Sequence, residues 1–241
     1  MYKMYIPWRV QRKYLENEFL ALTTVKYKNV LEVYRLIRTD DCYYIIMEYA
    51  ANGQLSKECY KGPIEESNAW FWFKQCTEAV NFMHVQHKMC HRNINQENIF
   101  LDEKENCKLT AFRYAKPMTT GGYTLTSDIV GKPQFYSPEM TMEVESYNPF
   151  AADVWAMGVM LYYMLNNTYP FKYPTKGKKD NEGMKAFVDH QLRGCVHRKD
   201  LRKPPSPLVQ DFIKKCLDPN PKTRITTQQM LEHPWLRDEP N

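Results

Sequence analysis

Chemistry in this chain has to come from a few short polar stretches. The densest is His91-Arg92-Asn93-Ile94-Asn95-Gln96-Glu97-Asn98, which sets one imidazole, one guanidinium and one carboxylate among amides. An amide donates and accepts hydrogen bonds but has no useful basicity, so Asn93, Asn95 and Asn98 can position a group without taking its proton. Seven cysteines occur without any C-x-x-C pair, an odd count for a disulfide framework. The basic run Lys176-Gly177-Lys178-Lys179 is followed by Asp180 and Glu182 and reads as a solvated loop. The sequon Asn166-Asn167-Thr168 would matter only in a secreted protein, and Met1 to Arg9 lack the apolar stretch of a signal peptide. A reducing, cytoplasmic setting is the expectation.

The elements that must position these groups follow from periodicity. Cys42 to Tyr49 is a β-branched and aromatic run with strand character, closed by a turn at Ala51-Asn52-Gly53. Glu66 to Met89 contains neither Gly nor Pro, and Ala69, Phe73, Cys76, Val80 and Met83 keep helical spacing, with crowded aromatics from Trp70 to Phe73 that call for burial. Asp153 to Leu165 is apolar nearly all round, the pattern of a core helix. Thr226-x-x-Gln229 is a capping box that starts a last short helix. Strands are expected mainly before residue 50 and helices after it.

Composition bounds the rest. The 241 residues are 43% hydrophobic and 25% charged with 9 Gly, which excludes disordered and collagen-like classes and leaves room for one large or two closely joined units. The net charge of +5 is too small for a nucleic-acid signature. The longest apolar run, Val154 to Leu165, is 12 residues, against about 20 for a spanning helix. Neither a nucleic-acid nor a membrane partner is expected.

Six pieces then line up in one order. His91 to Asn98 resembles the protein kinase catalytic loop, H-R-D-L-x-x-x-N, and Ala111-Phe112-Arg113 stands where that family has D-F-G. Gly131-Lys132-Pro133 and Ser137-Pro138-Glu139 resemble the G-T-P and A-P-E of the activation segment. Asp153 to Gly158 resembles the family's central buried helix, and Asp218-Pro219 to Arg224 its closing arginine motif. The resemblance extends from Met1 to Leu236 and is nearest the calcium/calmodulin-dependent group, including the testis-specific serine/threonine kinases. It implies an α+β, two-lobe kinase-like fold. Residues 1–49 would form a partial small lobe holding the family's third strand, its helix and the next two strands. Residues 50–241 would form a mainly helical large lobe with hinge, catalytic loop and activation segment. The family's first two strands and Gly-rich loop would precede Lys3 and are not in this sequence, so a truncated small lobe is expected.

The resemblance also assigns roles. Lys3 and Glu18 would be the ion pair of the small lobe, Met47 the gatekeeper, Glu48 and Ala50 the hinge groups facing adenine, and Phe100 the floor of its pocket. Phe112, with Leu22 and Val33, would belong to the apolar column joining the lobes. His91 would be structural, Asp153 would bind the backbone of the His91-Arg92 turn, and Glu139 would pair with Arg224. Asp128, three residues before Gly131, would stand in for a phosphothreonine and meet Arg92 bidentately.

Three substitutions bear on chemistry. The family's loop aspartate accepts the substrate hydroxyl's proton, and Asn93 cannot. The D-F-G aspartate is a hard ligand for Mg²⁺, and Ala111 offers no oxygen, while Asn98, the family's other metal ligand, is retained as a vestige of the nucleotide site. The phosphate-neutralising lysine of the loop is Asn95. These changes lead to the expectation of a pseudokinase that is not an enzyme and works as a scaffold or allosteric partner of other proteins, such as an active kinase. The rival expectations are a weakly active ATP-dependent serine/threonine kinase and a structural component of a cytoskeletal assembly. No resident cofactor or metal is expected, with ATP entering at most, independently of Mg²⁺.

Overall fold

The computed structural model describes residues 12–39, 43–118, 125–142, 145–174, 181–195 and 204–239. Lys3, Cys42 and the basic run at 176–179 lie outside them.

The small lobe is built from one helix and one hairpin. Helix α1 (Arg12–Thr24) buries Leu15, Glu18, Ala21 and Leu22, a single face at helical spacing. Strands β1 (Val33–Arg38) and β2 (Tyr43–Met47) pair antiparallel, with an irregularity between Val33 and Arg35 that breaks the alternation and leaves Tyr34 and Ile37 exposed. Val33 and Ile45 point inward. The segment before β1 is sewn to the large lobe: the Leu31 N–H donates to the Leu109 carbonyl at 2.9 Å, and the Leu109 N–H to the Asn29 carbonyl at 2.8 Å.

Helices dominate the large lobe, but short strands interrupt them. Strand β3 (Gly53–Gln54) and helix α2 (Ser56–Cys59) precede the long helix α3 (Glu66–Gln86). Strand β4 (Met89–Cys90), β5 (Ile99–Leu101), β6 (Cys107–Leu109) and β7 (Lys116–Pro117) follow, with β3-β5-β6 forming one antiparallel sheet and β4-β7 another. The expectation that strands lie mainly before residue 50 is corrected by these two- and three-residue pieces, too short to leave a period in the sequence. Helix α3 also stops three residues before Met89, because His87 caps it and Lys88 takes a left-handed φ of 48° that turns the chain into β4. Of its aromatics, Trp70, Trp72 and Phe73 are buried, while Phe71 faces solvent.

The remaining helices are α4 (Pro138–Thr141), α5 (Pro149–Asn166), α6 (Asn181–Leu192), α7 (Pro207–Cys216), α8 (Thr227–Glu232) and α9 (Pro234–Arg237). Helix α5 begins earlier than its apolar run, since the Asn148 side chain accepts from the Phe150 and Ala151 N–H groups and Pro149 fills the first helical position. It is the core of the lobe. A Cβ on Gly158 would lie 2.8 Å from the Cβ of Cys216 and 2.9 Å from Leu217, so only glycine lets α5 and α7 approach this closely. Trp155 stacks on Phe171 with ring centroids 5.3 Å apart. Glu66, at the start of α3, accepts from the Ser206 N–H and hydroxyl and from the Trp235 indole, which ties α3 to the starts of α7 and α9. The capping box at Thr226 and Gln229 forms as its spacing predicts.

Candidate active site

The loop from His91 to Asn98 hangs between β4 and β5 and is fastened from below by α5. Asp153, 1% exposed, accepts the His91 N–H through Oδ2 and the Arg92 N–H through Oδ1, each at 2.7 Å, and its Oδ2 also meets His84 Nε2 at 2.9 Å. One buried carboxylate thus satisfies three partners, which is how its charge is kept in the core. His91 bridges the loop and the chain ahead of Ala111. A carbonyl only accepts, so the Nε2 facing the Thr110 oxygen at 2.9 Å carries the proton, and Nδ1 accepts from the Asn93 N–H at 3.2 Å. Burial pushes the His91 imidazole pKa down, against the pull of the Asp153 carboxylate. Such a histidine orients backbone.

The amides divide between holding the loop and facing outward. Asn98 Nδ2 donates to the Asn93 carbonyl at 2.7 Å, closing the loop on itself. Asn95, 1% exposed, donates to the same carbonyl at 3.0 Å and accepts from the Glu97 N–H at 3.0 Å. Its side chain is therefore used up within the loop. Asn93 lines, with Gly131, Lys132 and Tyr136, a small cavity beneath the loop that extends to Met140, Asp153 and Ala156.

Ala111 ends the backbone run that leads away from Thr110, in the left-handed region at φ 64° and ψ 49°. A residue with a Cβ there is strained by roughly 1 to 2 kcal/mol. The one-turn helix Phe112–Tyr114 that follows is gripped by α1: Asn17 Nδ2 lies 3.3, 2.9 and 2.8 Å from the carbonyl oxygens of Phe112, Arg113 and Ala115. Tyr14 packs edge-on against Tyr114 with centroids 5.3 Å apart. Glu18 is 5% exposed beside this turn. Burial pushes its carboxyl pKa up, and the Arg113 guanidinium and the Phe112 N–H pull it back. Phe112 is fully buried, with Leu22 and Val33 also in the core. Asn17 and the Arg113 partner of Glu18 were not legible in the sequence, because nothing in the spacing of α1 marks which end of the large lobe it meets.

Mg²⁺ does not fit the residues present. It is normally held by one or two carboxylates together with substrate phosphates, whereas Ala111 and Asn93 supply none and Asn98 supplies one neutral oxygen. Among the described residues no group of three or more His, Cys, Asp or Glu could hold a metal ion. Toward the hinge, Met47 ends β2 and packs against the core, Glu48 pairs with Lys108 at 2.7 Å, and the Ala50 carbonyl accepts from the Gly53 N–H at 3.2 Å. Phe100, half-buried, sits in β5 opposite Gln54 and Lys108.

The activation segment is held in two places, by Arg92 of the loop and by Arg224. Arg92 Nη1 approaches Asp128 Oδ2 at 3.7 Å, Lys116 Nζ reaches the same oxygen at 3.8 Å, and Arg92 Nε donates to the Tyr114 carbonyl at 2.8 Å. The expected bidentate pair is thus corrected to a long contact through one oxygen, because the guanidinium edge is shared with backbone. The Asp128 side chain is 62% exposed, so the pair contributes under about 1 kcal/mol. Asp128→Ala should leave the melting temperature nearly unchanged while amides of 125–139 exchange faster with deuterium; unchanged exchange in that stretch would show that Asp128 holds nothing. Further along, Arg224 forks onto Glu139, with Nη1 to Oε1 at 2.6 Å and Nη2 to Oε2 at 2.9 Å, and lies over the Trp155 ring at 5.0 Å.

A small lobe of one helix and a hairpin, a helical large lobe, and a loop pinned beneath an activation segment define a protein kinase-like fold. The family comparison agrees: the protein kinase domain matches residues 6–236, and the chain belongs to that family. Its relatives include the CBL-interacting serine/threonine-protein kinase 10 of Arabidopsis thaliana, 30% identical over 92% of this chain and 44% of that protein. The serine/threonine-protein kinase SAPK9 of Oryza sativa subsp. japonica is 30% identical over 92% of this chain and 60% of that protein. The serine/threonine-protein kinase kin-29 of Caenorhabditis elegans is 30% identical over 92% of this chain and 25% of that protein. The chain thus spans from a quarter to three-fifths of the length of these relatives. These findings overturn the expectation that the chain is not an enzyme: at this identity across nearly its whole length its relatives are named as serine/threonine kinases. Among the described residues no helix is long and apolar enough to cross a membrane.

Proposed function

We propose that this chain is the kinase domain of a serine/threonine protein kinase that transfers phosphoryl groups from ATP slowly and without a protein-held Mg²⁺. The observation that carries this reading is the intact frame of the catalytic loop, in which Asp153 holds two backbone N–H groups and Asn98 closes the loop on the Asn93 carbonyl. Positioning supplies much of the catalysis in phosphoryl transfer, so a correctly framed loop retains part of the rate when its base is lost. In the step itself the substrate hydroxyl oxygen bonds to the γ-phosphorus, and the bond to the bridging oxygen breaks with its electron pair leaving on ADP. The hydroxyl proton passes to an oxygen of the transferred phosphoryl group, since Asn93 cannot take it. Losing a general base costs about two to four orders of magnitude, which sets the expected slowness.

Protein binding is the second part of the reading. A kinase's substrate is itself a protein, and one relative carries the name of a protein it interacts with. An active kinase or a cytoskeletal assembly would be a partner of that kind, and the free cysteines of the described residues suit a cytoplasmic setting.

Two measurements test the proposal. Purified full-length protein given γ-labelled ATP should label serine or threonine in a protein substrate at a low rate, and absence of label even after prolonged incubation would sink the reading. In thermal unfolding, ATP at a hundredfold excess over Kd should stabilise the protein by about 2.7 kcal/mol, equally with and without Mg²⁺. A shift seen only with Mg²⁺ would mean that a metal site exists despite Ala111.

A further inference from the structure

We propose that Lys132 supplies the cation for the transferring phosphoryl group that Asn95 does not. This rests on the kinase reading above. Four observations carry it. Asn95 is buried and its amide is spent on the Asn93 carbonyl and the Glu97 N–H, so it faces the loop and not a substrate. The activation segment meets the loop beside it: Gly131 has φ 98°, and a Cβ there would lie 2.7 Å from the Arg92 carbonyl oxygen and 3.7 Å from Asn93 Oδ1. Only glycine permits that approach, and it places the next residue, Lys132, beside Asn93. From there the Lys132 ammonium reaches across the loop to pair with the Glu97 carboxylate.

The character of that pair decides its use. Lys132 and Glu97 side chains are 39% and 38% exposed, so the ammonium is solvated and its pairing is worth little. Among the described residues, the other cations near the loop and segment face partners away from Asn93. Arg92 is held by Tyr114 and Asp128, Lys116 faces Asp128, Lys108 pairs with Glu48, and Arg113 lies under α1 beside Glu18. Position 93 is where the family's base meets the substrate hydroxyl, so a cation carried by the residue after Gly131, which packs against Asn93, lies beside the group being transferred. A phosphoryl group of charge near −2 competes successfully with one exposed carboxylate for a compact ammonium. Glu97 then holds Lys132 against the loop until a nucleotide takes it over.

The test compares ATP with ADP, which differ by the group in question, using titration calorimetry on the full-length chain. Lys132→Met should weaken ATP roughly ten- to a hundredfold, the range of a charge-assisted contact, and leave ADP unchanged. Lys132→Arg should keep the preference for ATP, and Glu97→Gln should tighten ATP by up to about fivefold by releasing the lysine. Circular dichroism melting confirms that each variant is folded. An ATP affinity untouched by Lys132→Met, or an equal loss for ATP and ADP, overturns the role of Lys132 while leaving the kinase reading in place. Failure of the unaltered protein to bind either nucleotide overturns both.

Discussion

Asn93→Asp combined with Ala111→Asp is expected to raise the rate of phosphoryl transfer by at least two orders of magnitude and to make it Mg²⁺-dependent. Asparagine and aspartate have the same shape, and Asn95 Nδ2, 3.5 Å from Asn93 Oδ1, can donate to a carboxylate placed there. The frame that fixes the side chain, Asn98 on the 93 carbonyl and His91 on the 93 N–H, involves only backbone at this position and survives the change. The variant therefore restores a general base worth about 10²- to 10⁴-fold without repacking the loop. At position 111 the left-handed backbone is one that aspartate tolerates better than alanine, so the added carboxylate should not cost stability. It gives a divalent cation a hard oxygen across from Asn98. The two gains will not multiply, because base and metal act in one catalytic unit. Initial rates on a serine-containing peptide with and without Mg²⁺ decide the matter. If the folded double variant is no faster than the unaltered chain, transfer does not occur at this loop; Asn93→Ala serves as the control that should bring no gain.

Breaking the Arg224–Glu139 fork should destabilise the chain more than any surface change. Arg224 is fully buried at its side chain and Glu139 is 10% exposed, so Glu139→Ala leaves a guanidinium in the core with its carboxylate gone. Removing one partner of such a pair costs about 3 to 5 kcal/mol, which for a domain of this size lowers the melting temperature by roughly 6 to 20 °C. Arg224 has further acceptors in the Asp218 and Ala151 carbonyls at 2.8 Å each. These carbonyls soften the loss of Glu139, whereas removing Arg224 leaves the buried Glu139 carboxylate without its partner, so Arg224→Ala should be the worse of the two. A double change to Glu139→Met and Arg224→Met should recover much of the loss, since apolar replacement of a buried pair is often close to neutral. Calorimetric unfolding of the three variants reads this directly. A melting temperature within 2 °C of the unaltered protein for Glu139→Ala would mean that water reaches the guanidinium and that the fork is not a structural tie.

Some of this protein is a property of the sequence alone. Helical periodicity marks α3 and α5, side-chain chemistry marks the capping box of α8, and the loss of a base at Asn93 and of a metal oxygen at Ala111 is a matter of residue type, which no fold can alter. Asp153, Glu139 and Arg224 fall at family spacing, and their contacts follow once the helices pack. Other features were settled only by packing. The Asn17 amide meets carbonyls 95 to 98 residues further along the chain, a pairing that leaves no local pattern. The strands β3 to β7 are too short to carry a period and exist because neighbouring segments bring their backbones together. Asn95 turns inward because the Asn93 carbonyl and the Glu97 N–H lie within its reach, whereas Lys132 turns toward Glu97 because Gly131 lets the activation segment press against the loop. Sequence determines which groups a site possesses; which of them face one another depends on contacts between distant segments, and those form only when burial of the whole core fixes the segments in place.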